Sequence, residues 1–316
     1  MAKVISIGNT CLDIILGCTD RLPKWNSELI FQETDWRLGG QGANFAIAVS
    51  RLGVQSILAS SLGSDDVGKT MRAELASVMP IDEQFFRLEG SETGFSVTLV
   101  RTDGERSFLT FLGHQGLFTT KPITQSILKI VGEDDIVHVS GLYMLPKIRR
   151  ELPSLFRRLH EAGVRVSFDP GWNPCGFSKT ERQSFYRLLS LIDFYEPNDA
   201  ELKQLTGKSG IQWAVRRLRA AFHGVLALKL GRKGSEIVEP SGKVTFVPSY
   251  STRVADTTGA GDMFDAGFIA GIVQDLSLKL SARYGNAVAS IAISRRGEPS
   301  LRFPKFSELQ KIIERG

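Results

Sequence analysis

A carboxylate that follows three small residues is the strongest chemical feature of this sequence. Asp262 closes the segment Asp256–Asp262 (DTTGAGD), and an apolar run typical of a helix comes next. Small residues let a backbone approach a ligand closely, and the N–H groups and dipole of a helix start favour an anion. A carboxylate in the same place can accept a proton from a hydroxyl group. This combination is the minimum equipment for phosphoryl transfer from a nucleotide to an alcohol.

The elements around this segment predict an α/β protein with a mainly parallel sheet. Helical patterns lie between many of the short apolar runs, and the clearest is Lys147–Ala162, whose apolar residues fall on one face. A strand, a helix and a second strand in this order imply parallel pairing with helices covering both sheet faces. The runs that predict strands are 4–7, 57–62, 136–140, 164–168, 192–195 and 225–230.

Two hairpin patterns interrupt this parallel series. Phe95–Arg101 and Arg106–Leu112 alternate as strands do, around a turn at Thr102–Glu105. Together with the extended segment Leu29–Leu38, this hairpin predicts a small separate sheet over one end of the core. A second hairpin, 236–239 with 244–248, is expected to edge the main sheet.

Composition excludes several classes of protein. The chain has 316 residues, 42% of them hydrophobic, and a formal net charge of +5. Its basic residues occur as scattered pairs, which indicates solvated helix faces and no nucleic-acid partner. An odd number of cysteines, three, without a CxxC motif predicts reduced thiols. With no signal-peptide pattern and no long apolar run, we expect a cytoplasmic protein with no membrane partner.

One segment imitates a different nucleotide site. Gly63–Thr70 satisfies the P-loop pattern GxxxxGK[ST] after a predicted strand. Asp65 and Asp66 would place two carboxylates in the phosphate cradle, where they would repel the anion. We therefore predict that this segment does not bind phosphate.

Several motifs resemble, in order along the chain, those of the ribokinase-like (PfkB) carbohydrate kinases. The DTTGAGD segment is similar to the family's C-terminal motif and is highly specific. The others are Gly8–Asp13, Gly39–Asn44, Gly63–Gly68 (GxDxxG), Asn198–Glu201 (NxxE) and Lys229–Ser235. A helix, Phe45–Leu52, is expected directly after Gly39–Asn44. The resemblance covers essentially the whole chain. It implies one domain, 1–316, with a three-layer α/β/α core and a small β-sheet lid built from about 14–38 and 93–113.

The resemblance also implies a role for each matching residue. Asp262 would be the catalytic base, and Gly259, Ala260 and Gly261 the anion hole. Substrate contacts would come from Asp13, Gly39, Gly40, Gln41, Asn44, Phe95 and Phe111. ATP would lie against Asn198, Lys229, Gly231, Gly234, Gly259, Gly261 and Asn286.

Two metal sites follow from the same resemblance. Asn198 and Glu201 would organise Mg²⁺ through water, although their spacing alone predicts a helix capping box. A monovalent cation, K⁺, would lie near Asp256, Thr258, Gly297 and Ser300.

The acceptor is less defined by the sequence. Ribokinase itself carries lysine where this chain has Gln41, which disfavours ribose. No arginine follows Asn173, which disfavours an anionic sugar, because such a group would favour an arginine fork. Lid aromatics such as Phe95 and Phe111 would stack on a ligand or pack within the lid, and His114 is interpreted as a polar lid residue.

We therefore carry three hypotheses for function. The first is an ATP-dependent kinase that phosphorylates a hydroxyl, expected to be primary, of a small sugar or polyol. The second is a nucleoside kinase of the same family. The third is a non-catalytic sensor of sugar or nucleotide on a kinase fold, which the intact base and anion hole disfavour. We also expect a homodimer formed through the lid.

Overall fold

The computed structural model describes residues 2–90, 92–103, 105–297 and 302–313. Within these residues the strands form a large sheet and a small one, as the alternating patterns predict. The strands are β1 (Lys3–Ile7), β2 (Cys11–Leu16), β3 (Thr34–Gly39), β4 (Gln55–Leu62), β5 (Phe86–Leu88), β6 (Phe95–Val100), β7 (Arg106–Phe111), β8 (Ile136–Ser140), β9 (Arg165–Asp169), β10 (Phe194–Tyr195), β11 (Val225–Lys229), β12 (Gly234–Val238) and β13 (Val244–Pro248).

The large sheet has the order β13-β12-β11-β10-β9-β8-β1-β4-β5. Pairing is parallel from β5 to β11 and antiparallel at β12 and β13. The predicted second hairpin therefore forms the edge of this sheet. Because the parallel strands share one direction, the loops after them open on a single edge, where α/β sheets bind ligands.

Helices cover both faces of the large sheet and give three layers. They are α1 (Gln41–Arg51), α2 (Asp66–Val78), α3 (Lys121–Ile130), α4 (Leu152–Glu161), α5 (Lys179–Leu189), α6 (Asp199–Thr206), α7 (Ile211–Arg219), α8 (Ala260–Val273), α9 (Leu278–Ile293) and α10 (Phe306–Ile313). Alternation along β1 divides the core, because Val4 packs in the cluster with α1, α8 and α9, and Ile5 packs in the cluster with α4 and α5. The predicted three-layer α/β/α class is confirmed.

The small sheet has the order β3-β2-β6-β7 and is the small separate sheet that the hairpin pattern predicts; we call it the lid after its expected role. Strand β2 is antiparallel to β3 and parallel to β6, and β6–β7 is the predicted hairpin. Of the extended segment expected near Leu29–Leu38, the strand itself begins at Thr34. No helix among the described residues has the length and apolar character needed to cross a membrane.

Two helix starts differ from the sequence-based expectation. The helix expected from Phe45 already begins at Gln41, because Gly40, with a φ of 97°, turns the chain directly into α1. Only Leu152–Glu161 of the predicted helix Lys147–Ala162 is α-helical, after a separate turn at Ile148–Arg150. The first difference matters for the site, since it places Gln41 and Asn44 in the first turn of α1.

Candidate active site

The first turn of α8 is the expected anion hole. Gly259 has a φ of 72°, a left-handed conformation that favours glycine, and α8 starts at the next residue. N–H groups in a first helical turn lack partners within the helix, so they are free to bind an anion. We call Gly259–Gly261, directly before Asp262, the anion-binding turn after its expected role; within it, Ala260 N already donates to the Thr257 carbonyl at 3.2 Å.

Asp262 is buried, with 7% of its surface exposed, and its carboxylate faces α1. Asn44 Nδ2 donates a hydrogen bond of 2.8 Å to Asp262 Oδ2. Burial, together with the Asp169 carboxylate, raises the pKa of Asp262 to about 7, although the hydrogen bond from Asn44, the charge of Lys229 and the Gln41 side chain oppose the shift. A carboxyl group with this pKa can take and release a proton near neutral pH.

The residues expected to bind the sugar at the N-terminal motifs lie on β2 and at the start of α1. Asp13 lies against Gly39, where an added Cβ would be 2.2 Å from Asp13 Oδ2. Burial raises the pKa of Asp13 to about 6, although the charge of Arg37 opposes the shift. Gln41 is a hydrogen-bonding neighbour of Asp262 and reaches to within 2.5 Å of a Cβ built on Gly171. These contacts place Gln41 and Asn44 beside Asp262 and Asp13 beside Gly39, and we call the region between them the pocket after its expected role in binding the acceptor.

The lid strands do not bring Phe95 and Phe111 to this pocket. Cross-strand partners share a sheet face, and Asp13 is paired with Arg37 and, through Ser96, with Thr110. We call this polar row the inner face.

Phe95 and Phe111 instead lie in the next row, with Leu12 and Leu38, on the opposite side of the sheet. Their rings pack together with centroids 5.4 Å apart. The register therefore does not support substrate stacking by this pair and favours packing within the lid. Ser96 and Thr110, whose hydroxyl oxygens are 3.1 Å apart, were missed.

A cavity of about 590 Å³ lies beside the anion-binding turn and collects most of the predicted nucleotide residues. Its lining includes Lys229, Gly231, Gly234, Gly261 and Asn286. The Asn286 amide also donates to the carbonyls of Val247 and Pro248, so it fixes α9 against β13. Asn198 is not part of this lining.

Lys229 is a buried cation beneath the anion-binding turn. Its Nζ is 2.8 Å from Asp169 Oδ2 and 2.9 Å from Asp265 Oδ2. A Cβ built on Gly261 would lie 3.4 Å from the same Nζ. Burial lowers the pKa of Lys229, but Asp169 and Asp265 outweigh burial, so the pKa stays well above its ordinary value. Sequence reasoning found Lys229 and missed that two carboxylates hold it.

Asn198 and Glu201 form the capping box that their spacing predicts. Asn198 N donates to Glu201 Oε2 at 2.8 Å, and Glu201 N donates to Asn198 Oδ1 at 2.9 Å. Burial and the Asp169 carboxylate raise the pKa of Glu201 to about 7. A buried carboxylate crowded by others would gain from a nearby cation, so Glu201 fits a role near Mg²⁺.

Asp256 lies among arginines. Arg37 Nη2 is 2.6 Å from Asp256 Oδ2, and Arg106 Nη2 is 2.6 Å from Asp256 Oδ1. Arg106 also donates to the Thr258 hydroxyl, and Arg302 donates to the Thr258 carbonyl. Burial opposes ionisation of Asp256, but Arg37 and the Thr258 N–H hold its pKa well below the ordinary value. Ser300, expected in the same cation site as Gly297, lies outside the described residues.

Two further residues have structural roles that agree with the sequence interpretation. His114 Nδ1 accepts from Gly94 N at 2.9 Å, so its Nε2 donates to the Thr10 carbonyl at 3.1 Å. Asp65 Oδ1 accepts from Gly68 N at 2.8 Å and caps α2, while Asp65 Oδ2 accepts from Thr93 N. The P-loop-like segment therefore serves as a helix start tied to the lid.

The arginines were missed because nothing in the sequence links positions 37, 106 and 302. Arg37 gives one weak signal, since it is a charged residue in a strand that leads into the glycine-rich motif. Pairing of β2 with β3, and of β6 with β7, is needed to bring Arg37 and Arg106 together.

Known proteins with similar sequences and folds include several sugar kinases. The chain is 29% identical to ribokinase of Haemophilus influenzae over 87% of each chain. It is 30% identical to an ATP-dependent ribose-1-phosphate kinase of Halopiger xanaduensis over 95% of each chain. Arabidopsis thaliana ribokinase, solved with ribose and ATP, superimposes with a TM-score of 0.82 at 25% identity and 99% coverage of both chains.

A nucleoside kinase of Methanocaldococcus jannaschii shares the fold, with a TM-score of 0.78 at 22% identity over 100% of this chain and 99% of the other. The family model for the pfkB family carbohydrate kinases matches residues 1–302. Because this match covers almost the whole chain, the chain belongs to the pfkB family of carbohydrate kinases.

Proposed function

We propose that the protein transfers the γ-phosphoryl group of ATP to a hydroxyl of a small sugar or polyol, with Asp262 as base. The observation that carries this proposal is the buried Asp262 carboxylate, whose pKa is about 7. It directly follows the anion-binding turn Gly259–Gly261. A base beside an anion hole meets the two requirements of this transfer.

The surrounding residues give each reactant a place. ATP occupies the cavity lined by Gly231, Gly234 and Asn286, which opens onto the anion-binding turn. The acceptor lies under the inner face of the lid, against Asp13 and Gln41. Asp262 takes the hydroxyl proton as the new O–P bond forms and the bond from the γ-phosphorus to the bridging oxygen breaks, so that ADP leaves; Asn44 keeps the carboxylate oriented. The lid excludes water, which would compete as an acceptor.

Mg²⁺ fits beside Glu201. When bound, it would neutralise charge on the ATP phosphates. One carboxylate oxygen of Glu201 is used by the capping box, and the other is available to a metal-bound water. The raised pKa of Glu201 supports this role, since a cation would stabilise its ionised form.

The inner lid face supports a sugar over a nucleoside. Its row next to Asp13 is polar and contains Ser96 and Thr110, which suit hydroxyl groups. The aromatic pair Phe95 and Phe111 lies on the other side of the sheet, so it is not available to sandwich a base. Ribokinase and ribose-1-phosphate kinase among the relatives also support a small sugar.

A coupled ADP-release assay with a panel of acceptors tests the proposal. The panel contains pentoses, hexoses, polyols, sugar 1-phosphates and nucleosides, each at equal concentration with MgATP. We expect turnover with at least one neutral sugar and none with nucleosides. Preference for a nucleoside would support the second hypothesis. Ligand-induced stabilisation without ADP release for any acceptor would support a sensor and overturn the kinase assignment.

The side of the lid sheet opposite the inner face, which we call the outer lid face, carries apolar residues that support a homodimer. Trp36, Leu109 and Phe111 are 61%, 63% and 41% exposed on this face. Apolar side chains exposed side by side are typical of a surface that binds another protein. We propose that a second copy covers it. Sedimentation at micromolar concentration should give a dimer, and Leu109→Glu should give a monomer. A wild-type monomer would refute this part of the proposal.

The thiols of Cys18 and Cys175 are exposed and free, which supports a reducing, cytoplasmic location.

A further inference from the structure

Arginine side chains donate hydrogen bonds to oxygen atoms of the loop Asp256–Thr258, which lies directly before the anion-binding turn. We call Arg37, Arg106 and Arg302 the arginine cluster. Both carboxylate oxygens of Asp256 are paired, one with Arg37 and one with Arg106, each at 2.6 Å. Arg302 donates to the Thr258 carbonyl and lies 4.0 Å from Asp256 Oδ2. The oxygens that a small cation would need are therefore already bonded to guanidinium groups.

The cluster is buried and densely charged. The side chains of Arg37, Arg106 and Arg302 are 1%, 13% and 4% exposed. Burial and the charge of Arg37 lower the pKa of Arg302 to about 10, which still leaves it protonated at neutral pH. The closest carboxylates are Asp256, Asp35 on the lid and Asp13 in the pocket. Three fixed positive charges thus adjoin the loop that carries the anion hole.

A monovalent cation does not fit these residues. K⁺ is held by carbonyl and carboxylate oxygens, and the family resemblance assigns two of them to Asp256 and Thr258. A cation at those oxygens would displace Arg302 from the Thr258 carbonyl, or would lie within contact distance of the guanidinium groups. Like charges repel strongly where water is excluded, so the second arrangement is unfavourable.

We propose that the arginine cluster replaces the monovalent cation, so that this kinase requires no K⁺. The positive charge beside the anion hole is built into the chain, with Arg37 and Arg106 supplied by lid strands β3 and β7, and Arg302 by the C-terminal segment. The arginines act as positioning residues for the loop Asp256–Thr258. The consequence for turnover rests on the proposed function, whereas the consequence for cation binding does not.

The first test compares cations. ADP release with the best acceptor of the panel is measured in choline chloride, NaCl, KCl and NH₄Cl at one ionic strength. We expect rates within about two-fold of each other. Activation by K⁺ of about ten-fold or more over choline would overturn the inference while leaving the kinase assignment intact. Absence of ADP release in every salt would instead count against the proposed function.

Thermal unfolding in the same salts needs no acceptor. The unfolding midpoint of the wild-type protein should be equal in KCl and choline chloride, because no K⁺ binds to the folded state. A concentration-dependent rise of the midpoint that is specific to K⁺ would refute the inference, whether or not a substrate has been found.

Variants at Arg302 separate charge from packing. Arg302→Met opens the Thr258 carbonyl and should lower kcat by about ten-fold or more, with partial recovery on adding K⁺ or guanidinium chloride at low concentration. Arg302→Lys keeps the charge and should retain most of kcat without K⁺, which covers the case in which Arg302→Met does not fold. Loss of kcat in both variants without recovery by either cation would overturn the inference.

Arg296→Met provides the matched control. Arg296 also donates to this loop, at the Ala255 carbonyl, but it is exposed and lies outside the cluster. The kcat of Arg296→Met should be the same with and without K⁺. If Arg296→Met became K⁺-dependent to the same degree as Arg302→Met, the effect would be a general loosening of the loop, and the assignment to the cluster would be wrong.

Discussion

Asp256 and Asp262 stand at the two ends of one short segment, and their surroundings have opposite charge. Asp256 is paired with Arg37 and Arg106, which keep it ionised. Asp262 is buried near the carboxylate of Asp169, and both burial and this charge raise its pKa, although the hydrogen bond from Asn44 opposes the shift. The same type of side chain is therefore held ionised by arginines in one place and, in our proposal, acts as the base in the other.

This difference shows that the role of a buried carboxylate depends on whether neighbouring cations balance its negative charge. A carboxylate fully paired with arginines has little freedom to exchange a proton, and its loss leaves buried cations unpaired. A buried carboxylate with few compensating charges is costly when ionised, and that cost is what makes it a proton acceptor near neutral pH. Opposite outcomes are expected when each is changed to asparagine.

Asp262→Asn should give the largest effect. Removing the base should lower kcat by about 10³-fold, because proton removal by a positioned group contributes on this order. The asparagine still accepts from Asn44, so ATP binding measured by calorimetry should be nearly unchanged. Asp66→Asn, at an exposed carboxylate on α2, is the control. Retention of most of the activity in Asp262→Asn would show that another group is the base.

Asp256→Asn should chiefly reduce stability. We expect a loss of about 3–4 kcal/mol in the free energy of unfolding by urea, since breaking a buried ion pair leaves uncompensated charge. Asp35→Asn is the matched control, because Asp35 also pairs with Arg37 but its side chain is 43% exposed. The control should lose less than about 1 kcal/mol. Equal losses in the two variants would contradict the assigned role of Asp256.

Asp262→Asn should change stability in the other direction. The pKa of Asp262 is raised in the folded state, so its ionisation weakens the fold as pH rises from the ordinary value towards about 7. At pH 8 the variant should be more stable than wild type by about 1–3 kcal/mol. The difference should shrink towards pH 4. A variant less stable than wild type at pH 8 would contradict the environment described for Asp262.

The pH profile of turnover should show the same carboxylate. A base acts when deprotonated, so kcat/KM should fall about ten-fold per unit below a midpoint near pH 7. Asp256 should cause no further change of kcat/KM with pH in this range, because Arg37 and the Thr258 N–H hold its pKa well below the ordinary range. A profile flat down to pH 5 would indicate that Asp262 titrates lower than its burial requires.

Most of the fold was predictable because its patterns are local. Periodic apolar residues and turn signals identified the main strands, both hairpins and the start of α8, and the DTTGAGD segment identified Asp262. The capping box at Asn198 and Glu201 also followed from spacing alone. Each of these features depends on residues a few positions apart.

What was missed depends on pairing between distant segments. A shift of one residue in register moves a side chain to the other face of a sheet, and no local signal showed that Phe95 and Phe111 face away from Asp13. In the same way, Arg302 meets Arg37 and Arg106 only after the lid docks on the core. The electrostatics of Asp256 therefore could not be read from the segment that contains it.

The inner face of the lid is built from two separate parts of the chain, and this affects how acceptor preference could change during evolution. Its polar row combines Asp13 and Arg37, which lie between β1 and α1, with Ser96 and Thr110, which lie between β5 and α3. The lid is therefore two separate excursions of the core chain rather than a transferable module. If this row contacts the acceptor, as proposed above, a new acceptor preference would require coordinated substitutions in both excursions, and a chimaera that exchanges only one of them would combine two mismatched halves of the row.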